Sequence, residues 1–222
     1  MIQTITDIWR KRPIVGYFVS TLLTSSYRTK TFGFLWALLD PGYLNYHEWD
    51  PRRRYLRSPD AHSLVVIGSG RHRTGASECV EWSRTEEGGR VVSYHDLPGG
   101  RHTREVTFTR PHTLLVRDQV EFTRRRWRPW CQLFQCAQDL DVRVVSSRET
   151  ELVAGDGARC ALRQSATGEW RVARGEEKPA LQGWYSESYG EWAPGLTLIF
   201  SPALGTTEVE TELEIIPPRQ AP

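Results

Sequence analysis

The chain has 222 residues, 29 basic against 27 acidic side chains and a formal net charge of +2, which allows one sizeable domain, or a domain plus an arm. So even a balance excludes a protein held to nucleic acid by a global basic field. No apolar run reaches the roughly 18–20 residues of a membrane-spanning helix.

Within that balance the basic set is skewed. Arginine supplies 26 of the 29 positions, and the lysines are Lys11, Lys30 and Lys178. Guanidinium makes planar, two-pronged contacts with carboxylate or sulfate, which suits an anionic glycan; biased base composition is the plainer account. Nine Trp and eight Tyr are many for this length, and most are expected in a sandwich core. Cys79, Cys131, Cys136 and Cys160 form no C-x-x-C pair, and buried free thiols are expected. Cys131 and Cys136, five apart, face opposite ways on a regular strand.

Residues 1–31 read as an N-terminal arm. Trp9-Arg10-Lys11-Arg12 precedes the apolar Ile14 to Leu23, and Asp7 to Leu23 carries the one helix-period pattern. Basic residues beside a short apolar stretch suit an amphipathic helix at a membrane surface, so residues 1–31 are the candidate for peripheral membrane contact. As a signal peptide the segment lacks a small-x-small cleavage site at Leu23-Thr24-Ser25. Phe32 to Leu39 is apolar on both faces and reads as an interior strand.

Asp40 to Ser63 follows: an Asp-Pro-Gly turn, then Tyr43, Tyr46, His47 and Trp49, then Arg52, Arg53, Arg54 and Arg57, then His62. Leu64 to Ile67 is a buried strand closed by Gly68. From there strand follows strand: Glu78 to Arg84, Arg90 to Tyr94, Arg104 to Arg110, Thr113 to Phe122, Trp130 to Ala137, Val142 to Ser147, Glu149 to Ala154, Ala158 to Gln164, Thr197 to Ser201 and Glu208 to Ile215. Glu87-Gly88-Gly89, Leu97-Pro98-Gly99-Gly100 and Gly155-Asp156-Gly157 are turn signals. The last strand alternates Val209, Thr211, Leu213 and Ile215 against Glu208, Glu210, Glu212 and Glu214. The Glu row marks a solvated face rather than a metal cluster, because same-face spacing alone does not make ligands converge. Arg124-Arg125-Arg126-Trp127-Arg128 reads as a solvated loop, and no nucleic-acid partner is expected. Residues 217–222 are a Pro-rich tail. More than ten short strands at this spacing predict an all-β fold: a large antiparallel β-sandwich over residues 32–216 with a short N-terminal helical arm.

Several of these segments resemble a known family. The Asp40-Pro41-Gly42 turn, Arg54-Tyr55-Leu56-Arg57-Ser58, and Ala61-His62 before an apolar strand are similar to the C-terminal β-domain of the heparinase II/III-like family. Arg104 to Phe108, Leu114 to Asp118, Gly183-Trp184-Tyr185-Ser186 and Tyr189-Gly190 agree, so the resemblance spans about residues 40–216. It implies β-elimination of uronic-acid polysaccharides, usually in the periplasm or outside the cell. It also implies that Asp40 and His62 are ligands to zinc. In the family a His-x-His-x-Asp motif upstream completes that site. Here every His (47, 62, 72, 95, 102 and 112) follows Asp40. Two protein ligands are fewer than a zinc site usually takes. Tyr46, His47 and Arg57 are candidates for lining a groove for acidic polysaccharide, where elimination requires a base for the C5 proton and a cation or amide for the carboxylate. The family's helical toroid supplies much of that apparatus, so the expectation is a domain inactive alone that acts with a helical-toroid partner chain. The alternative is a non-catalytic polysaccharide-binding module.

Residues 1–41 carry a second resemblance. Tyr27-Arg28 and Gly33-Phe34-Leu35-Trp36-Ala37-Leu38-Leu39 are similar to the N-terminus of ABC-type polysaccharide-export permeases. Both resemblances meet at Asp40-Pro41, as a fused reading frame from a polysaccharide gene cluster would.

Overall fold

In a computed structural model the structure describes residues 42, 44–68, 77–97, 100–111, 113–122, 127–186 and 188–216. Asp40, the N-terminal arm, the strand expected over residues 32–39, the permease-like stretch, the Arg124–Arg126 run and the C-terminal tail lie outside those residues.

Fourteen strands are described: β1 Val65–Ile67, β2 Ser77–Arg84, β3 Gly88–Leu97, β4 Gly100–Thr109, β5 Thr113–Phe122, β6 Trp130–Cys136, β7 Asp141–Ser146, β8 Glu149–Val153, β9 Arg159–Gln164, β10 Gly168–Ala173, β11 Trp184–Tyr185, β12 Ala193–Pro194, β13 Leu196–Pro202 and β14 Glu208–Ile216. An eight-stranded sheet runs β2-β3-β4-β5-β14-β9-β8-β7, a four-stranded sheet runs β1-β6-β13-β10, and β11 pairs with β12. All these pairings are antiparallel. The fold is the large antiparallel sandwich that the sequence predicts. β10 carries no predicted strand, since Gly168 opens it and only Trp170, Val172 and Ala173 are apolar. Gly88 and Gly89, read as a loop, instead pair with Thr109 and Phe108 in the β3–β4 ladder.

Period-2 alternation explains which faces meet. Val209, Leu213 and Ile215 of β14 point inward with Val116 and Val120 of β5, Cys160 and Leu162 of β9, and Phe134, Leu198 and Phe200 of the small sheet. Phe200 is fully buried, its ring 4.8 Å from that of Trp170. Truncating such a side chain to Ala costs about 3–5 kcal/mol. The four Glu of β14 face outward, where arginines interleave: Arg117 bonds Glu208, and Arg163 bonds Glu212, Glu214 and Glu149. These pairs are about half-exposed, so each is worth little individually.

The small sheet is buried on both faces. Its inner face joins the main core. Its outer face carries a second cluster of Val66, Leu133, Ala173 and Ile199. A third layer lies beside it: helix α1, Pro51–Leu56, a 3-10 turn, Pro59–Ala61, and the loops around β11 and β12. Leu44, Tyr55, Leu56 and Ala61 are buried there with Leu181, Trp184 and Trp192 packed on them. The Trp184 and Trp192 rings stack at 4.8 Å and 9°. No periodicity predicts a six-residue helix. Its signal is the cap: Asp50 accepts from the Arg52 amide and Pro51 opens the first turn.

Candidate functional site

The segment from Gly42 to Leu64 is built as a strap across the third layer. Gly42 forms a parallel bridge with Ser186, with φ at +76°. A Cβ at this position would lie 1.8 Å from the Ser186 carbonyl oxygen. Sterics and backbone sign therefore both require the glycine of the Asp-Pro-Gly turn. The Leu44 carbonyl then accepts from the Gly190 amide at 2.7 Å. That ties the turn to the loop holding Tyr189, so two of the family-like segments are one structural unit.

Asn45 and Asp50 fix the next loop. Asn45 Nδ2 donates to Asp50 Oδ2 at 2.8 Å, and the His47 amide donates to Asn45 Oδ1 at 2.9 Å. The Arg52 guanidinium holds the Asp50 carboxyl well below the usual carboxylate range. In α1 the arginine run divides: Arg53 is buried with Tyr55 and Leu56, while Arg52, Arg54 and Arg57 are exposed. The Tyr55 hydroxyl accepts from the amides of Gly183 and Trp184 at 3.1 and 3.4 Å. Burial pushes that phenol upward from its ordinary value.

His62 sits where the strap enters β1. Its amide donates to the Pro59 carbonyl, and its own carbonyl accepts from Leu64. The Asp60 carbonyl accepts from the side-chain amides of Gln135 and Gln182 at 3.2 and 2.8 Å. Ser63 Oγ accepts from the Gln135 amide at 2.9 Å. The backbone is thus held on both sides of His62. The imidazole is half-buried and makes no hydrogen bond or ion pair to any described residue.

Beneath the strap, between the sheets, lies a polar seam. Arg104 of β4 and Asp118 of β5 are direct cross-strand partners on the inner face. Asp118 is fully buried. Arg104 Nε and Nη2 donate to its two oxygens at 2.7 and 2.8 Å. His102 Nε2 lies 2.7 Å from Oδ1, and Gln132 Nε2 of the opposite sheet donates to Oδ2 at 2.8 Å. Gln164 continues the chain to Gln132 Oε1, and the Thr211 hydroxyl lies within bonding distance of both amide oxygens. Burial alone would raise the Asp118 carboxyl; Arg104, with the bonds from His102 and Arg104, overrules it and leaves the group well below the carboxylate range. The remaining Arg104 arm, Nη1, donates to the Ser63 carbonyl at 2.6 Å.

The sequence-predicted site residues are spread along the strap. Tyr46 and His47 lie before α1 and Arg57 follows it. A helix of six residues spans roughly 9 Å, so they sit at opposite ends of it. Tyr46 is 73% exposed, and its ring lies 5.7 Å from that of Tyr189, itself 63% exposed. Trp49 projects from the same loop at 90% exposure. The side chains of His47 and Arg57 make no hydrogen bond or ion pair to a described residue. Sequence reasoning missed the seam of His102, Arg104, Asp118 and Gln132. The available signal was alternation, which puts Arg104 in line with Val106, and Asp118 in line with Val116 and Val120, on the buried face.

Among the described residues no group of three or more His, Cys, Asp or Glu side chains converges on a metal position. His62 alone falls short of the three or four protein ligands zinc takes. Asp40, the other expected ligand, lies outside the described residues. Cys79 is exposed, against the expectation of buried thiols, while Cys136 and Cys160 are buried and Cys131 is partly so. Cys131 and Cys136 do face opposite sides of β6.

A two-sheet antiparallel sandwich with a strap of aromatic, His and Arg side chains over its smaller sheet defines the class of domain. The profile of the family described as "Heparinase II/III-like, C-terminal" matches residues 37–212, and the chain belongs to that family. Among solved structures, the heparan sulfate lyase HepC from Pedobacter heparinus superposes with a TM-score of 0.69 at 14% identity, covering 82% of this chain and 29% of that one. A heparinase III described as the BT4657 gene product gives 0.67 at 14% identity, covering 81% and 28%. A further structure titled heparinase III gives 0.64 at 12% identity, covering 82% and 28%. At these identities the likeness is one of fold. The chain spans less than a third of the length of these structures. No curated protein matches it in sequence.

Proposed function

We propose that this chain is the sandwich part of a polysaccharide lyase, and that its own activity is to bind acidic, uronate-containing polysaccharide. The observation that carries the reading is the strap surface. The exposed Tyr46–Tyr189 ring pair offers apolar faces of the kind that stack on a pyranose. His47, Arg57 and His62 keep side chains uncommitted to any described residue, and guanidinium is suited to carboxylate or sulfate. Heparan sulfate lyase and heparinase III, the proteins named among the fold relatives, give the substrate class. Elimination needs a base aimed at the C5 proton and a donor on the carboxylate. In this reading a helical domain, on the same polypeptide or a partner chain, completes that set. Asp40 and His62 would offer it two zinc ligands.

Isothermal titration of the chain with heparan sulfate, alginate and neutral dextran tests this. Salt-sensitive binding to an acidic polymer and none to dextran is expected. Y46A and R57A should each weaken binding about tenfold, which is about 1.4 kcal/mol. The chain alone should release no unsaturated uronate, followed by ultraviolet absorbance. Failure to bind any acidic polymer, or full affinity in both variants, overturns the proposal.

A further inference from the structure

We propose that Arg104 is the positioning residue for His62, and that Asp118 serves to align Arg104 for that task. The inference rests on the reading of the strap as the binding surface.

Pairing Arg104 with Asp118 occupies Nε and Nη2, one edge of the guanidinium. Nη1 is then fixed in the same plane and aimed out of the seam. It meets the Ser63 carbonyl at 2.6 Å, one residue beyond His62. Arg104 belongs to the large sheet, whereas Ser63 leads into β1 of the small one. This side chain therefore ties the strap to the opposite sheet, a contact 41 residues away in sequence. The bond falls where the backbone needs it. From Pro59 to Leu64 the chain makes a 3-10 turn, then a tight bend with the Leu64 amide on the His62 carbonyl, then a strand. Without Arg104 the Ser63 carbonyl has no other described donor, and the bend that sets the direction of the His62 side chain loses its anchor on the core side.

Stability alone explains this arrangement poorly. A buried ion pair is often no better for stability than well-packed apolar residues of the same volume, because both charges must be desolvated. What the pair adds is direction. A planar fork clamped by a carboxylate that His102 and Gln132 also hold has little freedom to rotate. Lysine at position 104 would keep the charge but could not span both Asp118 and Ser63, since an ammonium is a point donor on a flexible stem.

Two-dimensional 1H–15N imidazole spectra of the full chain test the proposal, with the His62 signals assigned through H62Q. R104K should broaden or double the His62 signals and weaken heparan sulfate binding at least threefold. T211V removes a hydroxyl at the far end of the same seam and is expected to lower the melting temperature while leaving His62 signals in place. D118N keeps Arg104 but removes the charge that aligns it, and should broaden His62 as R104K does, which covers the case of a poorly folding R104K. Unchanged His62 signals in a folded R104K or D118N, or equal broadening in T211V, overturn the proposal and make the pair a general core element. H62A read by polymer titration is separate. Full affinity there removes His62 from the binding surface, while an R104K effect on the His62 signals still upholds the positioning role.

Discussion

Arg104 and Asp118 face each other across β4 and β5 and close a two-pronged ion pair inside the sandwich, at 2.7 and 2.8 Å. Charges this deep are retained only when every polar atom finds a partner. Asp118 meets that condition through Arg104, His102 and Gln132. The seam crosses from the large sheet to the small one and ends at the strap. Core polarity and surface geometry are therefore one connected structure.

The carboxyl of Asp118 is depressed in the folded state: burial opposes the charge, and Arg104 and His102 overrule it. The sign follows from linkage. A folded value below the unfolded one, about 3.9, contributes stability that is complete above that pH and is lost as pH falls through it toward the folded value. Urea unfolding at pH 7 should show D118N less stable by about 3–5 kcal/mol, because Arg104 loses its buried partner. The gap should narrow as pH drops below about 4. A gap that stays constant down to pH 3 would place the acid sensitivity elsewhere.

Gly42 and Gly157 both have positive φ, +76° and +85°, but differ in surroundings. A Cβ on Gly157 meets nothing within 4 Å, whereas one on Gly42 strikes the Ser186 carbonyl. G157A should cost only the left-handed backbone penalty, about 1–2 kcal/mol. G42A should cost clearly more, with the difference reporting the lost Gly42–Ser186 bridge. Equal urea midpoints for the two variants would mean that the turn relaxes freely.

The sandwich was legible because its strands alternate. Val209, Thr211, Leu213 and Ile215 against four Glu define both faces of β14 without any structure. The strap was legible only through family resemblance, since α1 is too short to show a period and depends on the Asp50 cap. The seam was hidden for another reason. Arg104 and Asp118 are ordinary surface residue types, and only the pairing register brings them opposite each other. Register is fixed by the whole sheet, so a single strand does not show it. Asp40, the other half of the expected zinc pair, lies outside the described residues.

The thiols divide by burial. Cys79 is exposed on β2. Burial pushes Cys131 up to about 11 and Cys160 up to about 12, and raises Cys136 as well. The thiolate is the reactive form. At pH 8 the native protein should titrate one fast thiol with a disulfide reagent, and C79S should abolish that phase. All four should react after unfolding in guanidinium. Fast modification of two or more native thiols would show the core opening readily.

Tyr55 joins α1 to the loop that carries Tyr189. Its hydroxyl takes the amides of Gly183 and Trp184, and its ring meets Trp192 edge-on at 6.1 Å. Phenylalanine preserves the ring and its packing but leaves two amides without that acceptor. Leaving a buried donor unmatched costs about 1–3 kcal/mol. Y55F should therefore lose stability in that range, and the Gly183 and Trp184 amides should exchange with deuterium faster than the core of β13. The ties at Gly42–Ser186 and Leu44–Gly190 do not pass through Tyr55, so the Tyr46–Tyr189 pair should persist. Polysaccharide affinity in Y55F is then expected to fall less than in Y46A. A Y55F variant that exchanges normally at residues 183 and 184 but loses binding as completely as Y46A would place Tyr55 itself at the ligand, and the division between packing and contact drawn for the strap would fail.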